Sequence, residues 1–349
     1  MRRGYLDWLR GVAVLIMIEA HTLDSWTRVE DRGQSAYGWS MVLGGFGAPI
    51  FLFLAGVAIA LAGGSRLRKG QTAADAAAAL RRRGWEIVGL AFLFRLQSWL
   101  ISGGPVERTI LKVDILNIMG LSMLAAALLW AAGRTAWLRA LLLTVAAVAV
   151  TMLTPIVRTT DLLAPLPDLI EAYLRPSPGR TTFTLFPWGG FLLAGAAVGL
   201  CIDAARTDRQ ERRLNAAFAV IGAVIAAGGY AASYLPPIYE QTNFWTSSPT
   251  FFFLRLGILI ALLPLAYAWN LLPGRSPLRE FGLSSLFVYW IHVEMVYGVL
   301  TAPIHRRLPF AVSVLACVLF SVALFGLVKL KERLVRTRRD KSSLQSAPA

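Results

Sequence analysis

Long apolar blocks separated by shorter polar segments dominate the pattern along the chain. Each block is close to 20 residues long, the length that an α-helix needs to cross the core of a bilayer. Runs this long and unbroken exclude a strand-rich architecture. The blocks cover residues 8–24, 40–63, 84–102, 114–132, 137–155, 184–203, 214–235, 250–270, 281–303 and 309–330. We therefore predict an all-α fold, a polytopic membrane helical bundle with about ten transmembrane helices.

Positive charges are distributed unevenly between the two sets of loops that such a bundle creates. If residue 1 lies in the cytoplasm, the segments on that side contain 24 of the 35 Lys and Arg residues, and the opposite loops contain nine. This is the bias that the positive-inside rule describes. The cytoplasmic segments are 1–10, 64–83, 133–139, 203–213, 270–279 and the tail from 329. Both termini are therefore predicted to be cytoplasmic.

Composition agrees with a membrane protein. Hydrophobic residues make up 56% of the 349 residues and charged residues 16%, whereas soluble domains are about 25% charged. The net charge of +15 would suit a nucleic-acid-binding protein, but the cations lie in short loops beside apolar blocks, so we expect no nucleic acid partner. Asp7, Arg10 and Glu19 interrupt the first apolar run, which we interpret as a retained helix and not a signal peptide.

The chain divides by composition into a membrane domain, 1–330, and a basic, then Ser/Ala-rich tail, 331–349, predicted to be a disordered cytoplasmic segment. Small residues inside the apolar blocks would allow helices to approach closely. These are Gly44, Gly45, Gly47, Gly56, Gly189, Gly190 and Gly195. Neither a metal-binding cluster nor a phosphate-binding loop is present in the sequence, so no metal is expected.

Four ionisable residues, Asp7, Arg10, His21 and Asp24, share one face of the predicted first helix. Such residues within a membrane helix are usually functional, although Asp7 and Arg10 at i,i+3 also fit a structural ion pair. A neutral His21 could take a proton from a substrate nucleophile, and Asp24 could fix its tautomer. These two residues are the predicted catalytic pair.

Charged and polar residues of two later blocks allow two interpretations each. Arg95 lies within a helix and requires a partner, either a phosphate of a bound ligand or a buried acidic side chain. Asp114 and Asn117 begin the fourth block, where capping of the helix and contact with a substrate are both consistent with their position.

Three further residues are candidates for contact with a substrate. Trp26 lies in an outer loop and Trp188 at the start of a helix, where an aromatic ring either anchors the chain at the membrane interface or stacks on a sugar. His292, in a later apolar block, either supports the site or packs as an ordinary helix residue.

Sequence motifs in order along most of the chain carry a resemblance to a known family. LDWLRG at 6–11, an apolar run and His21 resemble the opening of the transmembrane acyltransferases. The chain is similar to the catalytic domain of heparan-alpha-glucosaminide N-acetyltransferase and its bacterial relatives. The Arg, ten residues, then His spacing also marks the acyltransferase-3 family. Further similar segments are FGAPIFLFLAGVAIAL (46–61), VDILNIMGLSMLAAALL (113–129), FPWGGFLLAGAAVGL (186–200) and SSLFVYWIH (284–292).

This resemblance implies a membrane acyltransferase domain that transfers an acyl group, usually acetyl, from cytoplasmic acyl-CoA to a sugar or glycan on the outer side. Carried onto this chain, it makes His21 the catalytic histidine and places Arg10 near CoA. The loop after the first helix, 22–40, contains no histidine, so the choice between N- and O-acylation stays open. The expected location is a bacterial inner membrane, with a homodimer as a candidate assembly.

Two other classes of function would each explain part of the sequence. A transporter or flippase for a lipid-linked or anionic solute would use Arg10, Arg95 and His21 as a polar pathway, but no internal repeat is visible. A non-catalytic scaffold would explain the hydrophobicity but not the one-sided group of ionisable residues in the first helix.

Overall fold

The computed structural model describes residues 3–272, 274 and 276–345, and its regular structure in these residues is helical. The only extended pairings among them are two isolated parallel bridges, Thr27 with Leu308 and Val113 with Thr181. The all-α prediction is therefore confirmed. Packing divides the chain into two compact units, one of Met1–Gly47 with Asn270–Ala349 and one of Ala48–Trp269.

The first unit joins the two ends of the chain. Its helix α1 contacts each of the other helices assigned to the unit. These helices are α1 Gly4–Trp26, α2 Ser35–Gly44, α12 Pro277–Leu283, α13 Ser285–Tyr297 and α14 Phe310–Gln345, with 3₁₀ turns at Val29–Asp31 and Val299–Ile304.

The second unit contains the middle of the chain, and its principal packing pairs are α4 with α6 and α7 with α9. Its helices are α3 Gly47–Arg68, α4 Ala73–Ser102, α5 Val106–Thr109, α6 Ile115–Ala132, α7 Ala136–Thr159, α8 Asp168–Leu174, α9 Leu185–Ala204, α10 Asp208–Ala232 and α11 Pro249–Asn270, with a 3₁₀ turn at Asp161–Leu163.

Side-chain caps fix where several helices begin. The hydroxyl groups of Thr72, Thr135 and Thr207 accept hydrogen bonds from backbone N–H groups in the first turns of α4, α7 and α10. Each cap satisfies a donor that would otherwise lack a partner. These helices therefore begin next to polar residues that end the preceding loop.

Seven helical segments in the described part of the chain are long and apolar enough to cross a membrane. They are Ser35–Arg68, Ile115–Ala132, Ala136–Thr159, Leu185–Ala204, Asp208–Ala232, Pro249–Asn270 and Phe310–Thr337. Two other predicted blocks form the long helices α1 and α4, both of which carry several charged residues. A total of about ten spans, and the sidedness of the termini, stay predictions.

The predicted continuous helix over 281–303 is wrong in detail. This block is divided among α12, α13 and a 3₁₀ turn, with breaks at Ser284 and Gly298. At 13 residues, α13 is shorter than the roughly 20 residues that a bilayer core requires. The backbone leaves the helical conformation at both breaks, with ψ of 16° at Ser284 and −174° at Gly298.

Glycines permit close approach of helix backbones, as predicted, most clearly between α3 and α9. A Cβ atom on Gly56 would lie 1.9 Å from the carbonyl oxygen of Leu192, and one on Gly195 would lie 2.0 Å from that of Phe53. No larger residue fits at these two positions without separation of the helices.

The last helix continues beyond the last apolar block into the basic segment. α14 ends at Gln345, and residues 346–349 of the predicted tail lie outside the described residues. The domain boundary at residue 330 therefore stays a prediction.

Candidate active site

Helix α1 carries most of the candidate site residues. Close backbone contact with α12 fixes the position of the first half of α1. A Cβ atom on Gly11 would lie 1.8 Å from the carbonyl oxygen of Leu278, and one on Gly282 would lie 1.8 Å from that of Asp7. The two glycines are reciprocal, because each allows its helix to rest on the backbone of the other. This contact leaves α1 little freedom to slide along α12.

His21 and His292 form a hydrogen-bonded pair between α1 and α13. Nδ1 of His21 lies 2.9 Å from Nε2 of His292, and the two rings are within 7° of coplanar. His292 is fully buried, and its Nδ1 lies 2.8 Å from the carbonyl oxygen of Val288. Since Nδ1 of His21 faces His292, proton transfer between His21 and a substrate would have to use Nε2.

Tyr297 contacts the His21 ring and is linked through Asp24 to Arg32. The Tyr297 ring packs edge-on against the His21 ring with centroids 5.5 Å apart, and its hydroxyl donates to Asp24 Oδ2 at 3.3 Å. The Asp24 carboxylate also pairs with Arg32 at 3.7 Å, and Arg32 donates to the Asp24 backbone carbonyl. Asp24 was predicted to fix the tautomer of His21, but His292 faces the nitrogen that this role requires.

Backbone and side-chain bonds join the end of α1 to α13 and to the segment that precedes α14. Ser25 Oγ donates to the carbonyl oxygen of Val296 at 2.9 Å, and the Arg306 N–H donates to the Ser25 carbonyl at 2.9 Å. The Leu308 N–H donates to the carbonyl of Trp26 at 2.9 Å. These hydrogen bonds hold the segments that carry His21 and His292 in fixed positions.

Asp31 connects the loop after α1 to the start of α14. Its Oδ2 accepts from the Phe310 N–H at 2.8 Å, and its carboxylate pairs with Arg28 at 3.0 Å. The hydrogen bond from Arg28 and the one from Phe310 hold the pKa of Asp31 below its ordinary value. The carboxylate therefore stays charged well below neutral pH.

The predicted ion pair in the first turns of α1 is confirmed. Arg10 Nη1 lies 3.3 Å from Asp7 Oδ1, with the Arg10 side chain 25% exposed and that of Asp7 8% exposed. Arg10 and His21 are on the same helix, eleven residues or about 16 Å apart. The expected contact of Arg10 with CoA is not tested by this geometry and stays a prediction.

In the second unit, Arg95 has the buried acidic partner that one interpretation required. Its guanidinium lies 2.5 Å from Asp114 Oδ2. Asp114 and Asn117 form a capping box at the start of α6, and Asn117 donates to the Tyr173 hydroxyl at 3.2 Å. Burial raises the pKa of Tyr173 in spite of that hydrogen bond. The pairing and capping interpretations are therefore confirmed, whereas binding of a ligand by these residues stays a prediction.

The two candidate tryptophans pack within their own units. Trp26 is 3% exposed and lies edge-on to Phe320 of α14 at 5.6 Å. Trp188 is half-buried and packs edge-on against Phe183 at 4.8 Å, near the buried cluster that includes Ala172. Trp26 thus lies in the packed interior of the first unit, and Trp188 keeps a partly open ring.

Sequence reasoning missed two residues of this site, Tyr297 and Arg32. Tyr297 is one aromatic residue among many near a helix end, and Arg32 is one of two arginines in the loop between α1 and α2. No local pattern distinguishes them, because their contacts with His21 and Asp24 depend on the tertiary fold. His305, in contrast, is exposed, as its place in an Arg-rich loop suggested.

The seven apolar helices and the histidine pair beside ion-paired residues define an integral membrane protein with a polar site on α1. A family model described as "Heparan-alpha-glucosaminide N-acetyltransferase, catalytic" matches residues 2–235, about two thirds of the chain. The chain belongs to this family, which confirms the predicted resemblance and indicates a membrane acetyltransferase. His21 lies inside the matched range and His292 lies beyond it. A comparison with curated proteins gave no match.

Proposed function

We propose that the protein is an integral membrane acyltransferase of a bacterial inner membrane. It moves an acyl group, in the first instance acetyl, from cytoplasmic acyl-CoA to an amine or hydroxyl group of a sugar or glycan on the outer side. The observation that carries the proposal is the His21–His292 pair on α1 of a chain that belongs to this family. The excess of Lys and Arg in one set of loops supports the proposed sidedness.

His21 is the proposed general base. The acceptor nitrogen or oxygen attacks the carbonyl carbon of the thioester while Nε2 of His21 takes the proton that the acceptor loses. The carbon–sulfur bond then breaks, the carbonyl is restored, and the proton passes from the imidazolium to the leaving thiolate. In an alternative with two half-reactions, Nε2 attacks the thioester and CoA leaves as the thiolate. The acceptor then takes the acyl group from the ring, Nε2 receives the proton that the acceptor loses, and that proton passes to the thiolate.

Arg10 is the proposed contact for the phosphates of CoA. It lies on the side of α1 where the positive-inside rule places the cytoplasm, about 16 Å from His21 along the helix. A guanidinium binds phosphate through charge-assisted hydrogen bonds. One helix would then bind the donor at one end and act on its thioester toward the other.

Binding of acetyl-CoA to purified protein in detergent tests this proposal without knowledge of the acceptor. We expect saturable binding by calorimetry that Arg10→Ala weakens about tenfold or more, since a charge-assisted hydrogen bond is worth about 1.5–3 kcal/mol. Lys69→Ala removes the same charge from an exposed position of the predicted cytoplasmic loop and serves as the control.

The outcomes of that experiment separate the classes of function. Equal binding by the Arg10→Ala and Lys69→Ala proteins would remove Arg10 from the donor site. Absence of binding for acetyl-CoA and longer acyl-CoA by folded protein would contradict the acyltransferase proposal. A transporter or flippase for an anionic solute would then be the leading hypothesis. The acceptor, the choice between N- and O-acylation and a homodimeric assembly are outside this test.

A further inference from the structure

The carbonyl of Val288, the ring of His292 and Nδ1 of His21 form a chain of hydrogen-bonded groups. The two contacts measure 2.8 Å and 2.9 Å. From this chain of groups we infer that His292 is a positioning residue that holds the proton of His21 on Nδ1 and thereby keeps its lone pair on Nε2. The inference rests on the proposed function, in which Nε2 of His21 is the base.

The first step concerns the charge of His292. The ring is fully buried, and its polar contacts are backbone carbonyl groups of the preceding helical turn and a second imidazole. An ionised ring removed from water requires an acidic partner, which neither kind of contact supplies. His292 is therefore neutral and carries one N–H group.

The second step assigns that N–H group. The carbonyl oxygen of Val288 can only accept a hydrogen bond, so the proton of His292 is on Nδ1. Nε2 of His292 then holds a lone pair and can only accept, which requires His21 to donate from Nδ1. In neutral His21 the lone pair consequently lies on Nε2.

The third step follows the pair through a reaction cycle. When Nε2 of His21 takes a proton, its Nδ1–H group still donates to His292, so the contact between the rings is kept in both states. His292 neither gains nor loses a proton. Its role is to orient the base and select its tautomer, as the acid does in a catalytic triad, but without a negative charge.

The surroundings of His292 prevent the ring from turning over. Tyr289 packs edge-on against it at 5.9 Å, and Val288, which supplies the carbonyl, is fully buried one helical turn earlier. The bond from Ser25 to Val296 fixes α13 to α1 beside the pair. The direction of the hydrogen bonds is thus determined by backbone and packing and not by solvent.

Nitrogen-15 NMR of labelled histidine measures the tautomers directly. The chain has only three histidines, and His305→Gln removes the exposed one, so that two imidazoles remain. We expect both rings to carry the proton on Nδ1, the minor form of unconstrained histidine. A His21 ring with its proton on Nε2 would overturn the inference, whether or not the protein transfers acyl groups.

Variants of His292 test the consequence for catalysis. His292→Leu removes the acceptor, and we expect the His21 proton to move largely to Nε2 and kcat to fall about 10²-fold or more, with the KM for acyl-CoA unchanged. His292→Gln places an amide oxygen where Nε2 lay and should restore part of kcat. A purely structural role would not produce this order of rates together with the tautomer shift.

The failures can be told apart. If the His292→Leu protein is folded and keeps both the wild-type kcat and the wild-type His21 tautomer, the inference is wrong while the acyltransferase proposal stands. If wild-type protein transfers no acyl group but shows both protons on Nδ1, the geometry stands and the proposed function fails. If His292→Leu does not fold, the wild-type spectrum and His292→Gln still decide the question.

Discussion

Gly11 offers the clearest test of how α1 is positioned. Substitution by alanine would place a Cβ atom 1.8 Å from the Leu278 carbonyl oxygen and 2.5 Å from its carbonyl carbon. Real contacts of this type stay above 3.0 Å, so α1 and α12 would have to separate by about 1.2 Å, the difference between 3.0 and 1.8 Å. Backbone atoms cannot rotate aside as a side chain can. Overpacking of this kind costs about 1–3 kcal/mol.

Gly38 provides the matched control for this substitution. It lies in α2 of the same unit, and a Cβ atom there would meet nothing within 4 Å. Both changes gain roughly the same helix propensity, about 1 kcal/mol, so the difference between them isolates the clash. We expect the midpoint of thermal unfolding in detergent, followed by tryptophan fluorescence, to be several degrees lower for Gly11→Ala than for Gly38→Ala. Equal midpoints would refute the close contact of α1 with α12.

Two further predictions concern ion pairs. Arg95→Met should destabilise the protein, by at most about 3–5 kcal/mol, because it removes the guanidinium that pairs with the buried carboxylate of Asp114 and leaves Lys112 as a nearby cation. Arg95→Met/Asp114→Asn should recover much of this stability, and an unchanged melting midpoint in the single variant would contradict the pair. The depressed pKa of Asp31 predicts stabilisation that is complete above the ordinary Asp pKa of about 4 and is lost as pH falls through the folded value. Melting midpoints of wild type and Asp31→Asn should therefore differ from pH 7 to pH 5, and the difference should shrink as pH falls below the ordinary Asp pKa and through the lower folded value.

The helical elements could be predicted from the sequence because each depends on local pattern. Most of the apolar blocks reappear as helices, and Asp114 and Asn117 cap α6 as one of their two interpretations required. The ion pair of Asp7 with Arg10 could be predicted for the same reason, since both residues lie on one helix three positions apart.

The composition of the site was harder to predict. His21 could be singled out as an ionisable residue in an apolar run, and His292 as a helix histidine, but they are 271 positions apart and only the tertiary fold joins them. Asp24 was given the role of orienting His21 because it is nearby in sequence. In the structure its carboxylate meets Tyr297 and Arg32, whereas Nδ1 of His21 contacts His292 from a distant helix, to which we assign that role by inference.

The broken block 281–303 explains how this pairing arises. A continuous helix was predicted there, yet breaks at Ser284 and Gly298 divide it and leave α13 as a short helix whose His292 meets α1. Apolar composition alone does not distinguish one long helix from several short ones. The residues beyond the matched range of the family model thus complete a pair whose first member lies inside it.

The most direct test of the account is acyl transfer by purified protein, with radiolabelled acetyl-CoA and a panel of amino sugars and neutral sugars as acceptors. We predict transfer by wild type and by His305→Ala, which removes the exposed histidine, and a loss of about 10²-fold or more in kcat for folded His21→Ala. Wild-type rates of transfer in the His21→Ala protein would contradict the assignment of His21 as the catalytic base.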